Sequence, residues 1–245
     1  MIELSAVGYA AVVAGALLVG FAKTAIGGVG LVSVALFAGA MPARESTGAL
    51  LPLLLVGDVV AVLLYRRHAE WPALLRLVPS VALGVIAGAG FVAVVSDAVM
   101  RRSIGAVLLV LVAVHLVLRA RGQQAEARPG RLAAPAFGTL AGFTTMVANA
   151  GGPVMSLYLL AARLDKMAFL GTASWFFLVV NASKLPFSVG LGLLRPETLL
   201  LDLALVPAVL LGAAAGRWII GRIDQARFEQ LVLAATVLAS LNLVL

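Results

Sequence analysis

Along this 245-residue chain, hydrophobic runs long enough to cross a bilayer follow one another with almost no charge inside them. A spanning helix needs about 20 mainly apolar residues, with about 17–25 tolerated. Runs fall near residues 5–22, 28–41, 46–65, 73–95 and 99–119, and again near 133–148, 153–163, 168–189, 199–220 and 227–245. The one hydrophilic stretch of any length lies between these two groups of five, from Arg119 to Arg131. Such a chain cannot clothe a water-facing surface. It is 62% hydrophobic and 12% charged, where a soluble domain carries about 45–50% apolar and about 25% charged residues. A water-soluble enzyme, a nucleic-acid-binding domain and a disordered chain are excluded, and an all-α polytopic membrane protein is expected.

The net charge of +7 agrees with that reading once position is considered. Arginines lie in or beside the breaks between apolar runs, where charges set membrane topology rather than bind nucleic acid. The chain has no cysteine and two histidines, His68 and His115. A disulfide framework, thiol chemistry and a metal centre are therefore not expected. The N-terminus carries Glu3 and no Lys or Arg before its first apolar run, so it does not read as a cleavable signal peptide.

Five runs, a linker and five runs suggest a duplication, and the residues agree. Gly20-Phe21 precedes the glycine pair Gly27-Gly28, and Gly142-Phe143 precedes Gly151-Gly152. Gly28, Gly48 and Asp58 align with Gly151, Gly171 and Asn181, while Pro79, Gly84 and Gly88 align with Pro207, Gly212 and Gly216. An internal repeat in a transporter-like chain takes this form. The division expected is a membrane repeat over 1–119, a cytoplasmic linker over 120–132 and a second membrane repeat over 133–245.

Placing the Arg-rich linker in the cytoplasm fixes the other loops. The loops with Arg66, Arg67 and Arg76, with Arg163 and Lys166, and with Arg217, Arg222 and Arg227 then lie inside; those with Arg44, Arg101-Arg102 and Arg195 lie outside. Corresponding loops fall on opposite sides, so the halves read as inverted-topology repeats with both termini outside. Inversion requires an odd number of crossings per half, three of which come from the last three segments. The second segment of each half is 14 or 11 residues long by sequence, only about 21 or 16 Å of helix, against a core of about 30 Å. Each half is thus expected to open with a short broken or re-entrant helical hairpin, or with two short tilted spans, followed by three transmembrane helices.

Irregular backbone at membrane depth survives only where protein buries it or water wets it. Two stretches qualify: Lys23, Thr24, Gly27, Gly28 and Gly30 in the first half, and Asn149, Gly151 and Gly152 before Pro153 in the second. Each precedes a helix start, whose free N–H groups and partial positive charge suit an anion, and glycine admits a ligand close to the backbone. Gly84, Gly88, Gly212 and Gly216 instead read as close helix packing.

Two of the three lysines, Lys23 and Lys184, lie inside apolar segments. A central lysine costs about 2.5–3.5 kcal/mol on insertion scales and calls for a reason. Asp58 is the one carboxylate deep in a run, and Asn181, its repeat mate, stands one turn before Lys184. Polar residues at matching positions suggest that their helices face each other across a pseudo-twofold axis. Asp58 is expected to pair with a lysine, to carry a proton or to satisfy a backbone group. Asp202, near a segment end, and His115 read as interfacial. No nucleophile elbow, zinc-protease, phosphate-loop or dinucleotide fingerprint occurs.

The Gly20–Gly30 break, its counterpart from Gly142 to Pro153, the linker and the length together resemble the sulfite exporter TauE/SafE family, across essentially the whole chain. The resemblance implies a bacterial inner-membrane, multi-pass transporter that exports sulfite or small organosulfonates, with no cofactor. It carries the family's glycine-rich region onto Gly27, Gly28 and Gly30, and by repeat onto Gly151 and Gly152. The expected partners are a small anionic substrate and the lipid bilayer, with a homodimer compatible. The leading expectation is an alternating-access anion carrier, against a passive anion channel or a non-transporting membrane scaffold. A cation transporter built on Asp58 is disfavoured, because cationic residues outnumber acids at depth.

Overall fold

The computed structural model describes residues 4–25, 29–120, 133–162, 164 and 166–219. Within them the chain folds as nine helices and no strands: α1 (Ala6–Thr24), α2 (Gly30–Ala40), α3 (Ala43–Tyr65), α4 (Trp71–Val94), α5 (Asp97–Ala120), α6 (Ala133–Ala148), α7 (Gly151–Ala161), α8 (Lys166–Gly190) and α9 (Pro196–Ile219). A short 3-10 turn over Arg66–His68 follows α3. The linker and the segment expected near 227–245 lie outside the described residues, as do Gly27 and Gly28. Five described helices are long and apolar enough to cross a membrane, within Ala6–Thr24, Ala43–His68, Trp71–Val94, Met167–Gly190 and Pro196–Ile219. The chain is a polytopic helical membrane protein.

The second helix of each half is short, as the sequence spacing requires. Both α2 and α7 have 11 residues, about 16 Å of helix, or half of a bilayer core of about 30 Å. Helix α2 folds back along α1: Gly30 lies by Ala22, and the missing side chain of Gly15 makes room for the Phe37 ring. Bare backbone ends at such a turn must find partners inside the protein. The Thr24 carbonyl accepts a hydrogen bond from the Tyr65 hydroxyl at 2.8 Å. In α6 the matching turn is made by Asn149, in the left-handed region at φ 51°, a conformation that Asn tolerates better than most residues.

Packing between the halves is reciprocal. Helix α1 packs on α9, and α6 packs on α4. A Cβ on Gly20 would collide with the backbone of Val209 and Ala213, and one on Gly142 with the backbone of Val81 and Val85. Seen from the other side, Gly212 abuts Leu17 and Gly84 abuts Thr139; Gly216 abuts Phe21 and Gly88 abuts Phe143. The glycine contacts of the two seams correspond, Gly20 with Gly142, Gly212 with Gly84 and Gly216 with Gly88. The packing role expected for Gly84, Gly88, Gly212 and Gly216 is what these seams require: backbones approach closely where no side chain intervenes.

Helices α3 and α8 run antiparallel through the centre. Gly48, near the start of α3, backs onto Leu193 just beyond α8, while Gly171, near the start of α8, backs onto Tyr65 and His68 at the end of α3. Near their common midpoint the Asn181 amide donates to Asp58 Oδ2 at 2.7 Å. The two ends of the bundle carry separate sets of polar contacts. At one end Arg44 donates to the Val92 and Val95 carbonyls, its backbone N–H to Asp97, and Arg195 pairs with Glu45. The Arg66–His68 turn lies at the other end, beside Gly171.

Candidate functional site

The polar residues singled out inside apolar runs converge at the α3–α8 crossing. Lys23 Nζ lies 2.7 Å from Asp58 Oδ1 and 4.3 Å from the centre of the Phe177 ring. Asp58 is wholly buried. Both of its oxygens are taken, Oδ1 by the Lys23 ammonium and Oδ2 by the Asn181 amide. Gly57 makes the ion pair possible sterically, since a Cβ there would meet the Lys23 stem at 2.9 Å. Lys23 therefore does not reach for a membrane interface. It turns inward to the one carboxylate that can compensate it.

Lys184, 1% exposed, has a different set of partners. Its ammonium donates to Asn149 Oδ1 at 2.5 Å, Asn181 Oδ1 at 3.1 Å and Thr145 Oγ1 at 3.4 Å. All three acceptors are neutral. A buried ammonium with three hydrogen bonds is satisfied as a donor but uncompensated as a charge. The orientation of the chain of amides follows from its fixed ends. Asn149 must point its amide nitrogen at the Thr47 carbonyl, to which it donates at 3.0 Å, because a backbone carbonyl only accepts. Its oxygen is then left for Lys184. Asn181 in turn gives its nitrogen to the carboxylate of Asp58 and its oxygen to Lys184.

The cluster thus contains two lysines and one carboxylate, with one ammonium neutralised within its own half and the other not. Helix α7 begins two residues after Asn149, so its free N–H groups add partial positive charge on the Lys184 side. Such a centre carries an excess of positive charge. Among the described residues no group of three His, Cys, Asp or Glu side chains is placed to hold a metal ion.

The sequence pattern of the sulfite exporter TauE/SafE family matches residues 12–243. The chain belongs to that family. No curated relative and no solved structure matches it. The sulfite exporter family is one of membrane transporters and not of enzymes, so its function is anion transport across a bilayer. That membership carries the cargo class and the membrane, and it does not carry a dimer.

Within this family member the expected site residues divide. Lys23, Asp58, Asn181, Lys184 and Asn149 form one connected network. Thr24 stands outside it: its hydroxyl donates to the Ala213 carbonyl at 2.9 Å and to Gly20, fastening α1 to α9. Gly151 is held against α6, where a Cβ would meet Thr145 at 3.0 Å and the Ala141 carbonyl at 3.1 Å. Gly30 has room for a side chain, its nearest neighbour being Ala22 at 3.9 Å. Gly152 is half-buried at the start of α7. Gly27 and Gly28 lie outside the described residues.

Thr145, Phe177 and Gly57 join the site without having been expected from the sequence. A threonine one turn before Asn149 and an aromatic one turn before Asn181 share helical faces with those residues, which is the signal that would have found them. Asp202, expected near an interface, is enclosed by protein. It is 3% exposed on the buried face of α9.

Proposed function

We propose that this protein exports a small sulfur-containing anion, sulfite or an organosulfonate, across a bacterial inner membrane by alternating access between two inverted repeats. The observation that carries this reading is the uncompensated Lys184 ammonium at the centre of the bundle, held by neutral oxygens while the neighbouring carboxylate is committed to Lys23. An oxyanion supplies several acceptor lone pairs and the missing negative charge together. It would replace the Asn149 and Asn181 oxygens as partners of Lys184, with the free N–H groups at the start of α7 completing its shell.

Several features support inversion of the halves. The equivalent helices α3 and α8 run antiparallel and meet through the repeat-related pair Asp58 and Asn181. The glycine contacts of the α1–α9 seam, at Gly20, Gly212 and Gly216, correspond to those of the α4–α6 seam, at Gly142, Gly84 and Gly88. Arg44 and Arg195, expected outside, lie at one end, and the Arg66–His68 turn, expected inside, lies at the other. In alternating access, glycine-seamed pairs move as units against the α3–α8 crossing, exposing the cluster first to one side and then to the other. The breaks after α1 and α6 act as half-membrane hairpins that bring Lys23 and Asn149 to the crossing. Export of an anion from a negative cytoplasm is downhill by about 2.3 kcal/mol per charge per 100 mV.

The test is labelled-sulfite transport into proteoliposomes with Lys184→Met, alongside thermal melting. Loss of transport in a protein that still folds is expected, together with loss of sulfite-dependent stabilisation; that stabilisation reaches about 2.7 kcal/mol at a hundredfold excess of ligand over Kd. Unchanged transport in Lys184→Met would remove the cluster from the mechanism. Currents far above carrier turnover, without counterflow, would replace the carrier with a channel.

A further inference from the structure

Away from the lysine cluster, α9 buries a second acid. Asp202 lies six residues after Pro196, about 9 Å into the helix. It is 3% exposed, and neither carboxyl oxygen has a hydrogen-bond partner among the described residues. A carboxyl group without a partner in a helix bundle at membrane depth costs several kcal/mol, and in membrane helices such groups mark transport pathways and proton relays.

The groups that might have satisfied Asp202 are engaged elsewhere. Among the described helices, α9 packs most extensively on α1 and α3. The ionisable residues of α1 are Tyr9, which is 44% exposed and has an interaction of its own, and Lys23, which is paired with Asp58. On α3, Arg44 donates to the Val92 and Val95 carbonyls, Glu45 pairs with Arg195, Asp58 with Lys23, and the Tyr65 hydroxyl donates to Thr24. On α9 itself Glu197 and Arg217 are exposed. Thr198, one turn before Asp202 and fully buried, donates its hydroxyl to the Arg195 carbonyl at 2.7 Å. No cation within these helices is placed to compensate a bare carboxylate.

We infer that Asp202 is a proton-binding site that couples transport to the proton gradient. With no cation of the described helices around it to compensate it, the group is neutralised by a proton: one carboxylate oxygen takes a proton from hydronium, an O–H bond forms and a water is released. The step reverses when the site opens to the other side. Coupling to the lysine cluster runs through the α1–α9 seam. There Gly20 and Gly212 press backbone on backbone, and the Thr24 hydroxyl beside Lys23 is bonded to Ala213 of α9. A charge gained or lost on α9 therefore biases the helix that carries Lys23.

This inference goes beyond the anion site, and its first test needs no transported anion. Infrared difference spectra between acid and alkaline buffers, on protein in nanodiscs, should contain the C=O band of a weakly hydrogen-bonded carboxylic acid. Asp202→Asn should remove that band, and Asp202→Glu should shift it. A spectrum unchanged by Asp202→Asn overturns the proposal. Should Asp202→Asn fail to fold, the Asp202→Glu shift decides alone. In proteoliposomes with sulfite at equal concentration on both sides, Asp202→Asn should keep isotope exchange within about twofold of wild type. The stimulation of net flux by an imposed pH gradient should be lost. Full retention of that stimulation refutes coupling through Asp202. A titrating Asp202 band in a protein that moves no sulfite would instead refute the anion reading and leave the proton site standing.

Discussion

The Lys23–Asp58 pair sets a stability test that can be worked from its geometry. Asp58→Asn keeps the shape but leaves one oxygen facing two donors, the Lys23 ammonium and the Asn181 amide. Asn181 cannot rotate to help, because its own oxygen is held by Lys184 and that chain ends on the Thr47 carbonyl. Breaking a buried pair by removing one partner costs about 3–5 kcal/mol. The Lys23 side chain is 12% exposed and keeps the Phe177 face, and a cation–π contact is worth about 0.5–2 kcal/mol. The loss should therefore sit at the low end, about 3 kcal/mol. For a domain of about 150–250 residues this lowers the melting temperature by about 6–12 °C. Lys23→Met alone strands the carboxylate and should cost a similar amount. The double variant leaves only an unsatisfied amide, about 1–3 kcal/mol, so it should melt no lower than either single variant. The assay is thermal unfolding of the four proteins in one detergent. Effects that add within about 0.5 kcal/mol would refute the ion pair as a structural unit.

The glycine seams and the α6 turn give further tests by the same melting assay. Gly20→Ala and Gly142→Ala should each destabilise by at least about 1–3 kcal/mol, because the obstructing atoms are backbone; Gly90→Ala, with nothing within 4 Å, should be neutral or stabilising by up to about 1 kcal/mol. Equal effects at all three positions would sink the seam argument. Asn149→Gly keeps the left-handed turn and loses the amide, so it should fold and fail to transport sulfite. Asn149→Ala adds backbone strain of about 1–3 kcal/mol, and a melting temperature equal to that of Asn149→Gly would remove the turn from the account.

How far the sequence reaches depends on how local each determinant is. The half-length of α2 and α7 follows from apolar runs too short to span, and the membrane class follows from the scarcity of charge. Gly84 and Gly212 were legible as packing residues because a repeated glycine spacing on one helix face has few other uses. Asp58 and Asn181 were legible as partners because they hold matching positions in the two groups of apolar runs, and the Asn181 amide does donate to Asp58.

Which lysine would face the carboxylate was not legible. Lys23 and Lys184 are equally anomalous along the chain, and only the folded crossing gives Asp58 to one and neutral amides to the other. Thr24 looked like a ligand by its place in the break, yet its hydroxyl fastens α1 to α9, since a helix buries whichever face its partner covers. Asp202 was placed by its distance from a segment end, which could not show that helix packing would enclose it with no hydrogen-bond partner among the described residues. Sequence alone fixes the solvent a chain requires and the lengths of its elements, because these depend on each segment's own transfer energy. The compensation of a charge depends on what lies within a few ångströms of it, and residues far apart in the chain reach that distance only through the tertiary fold.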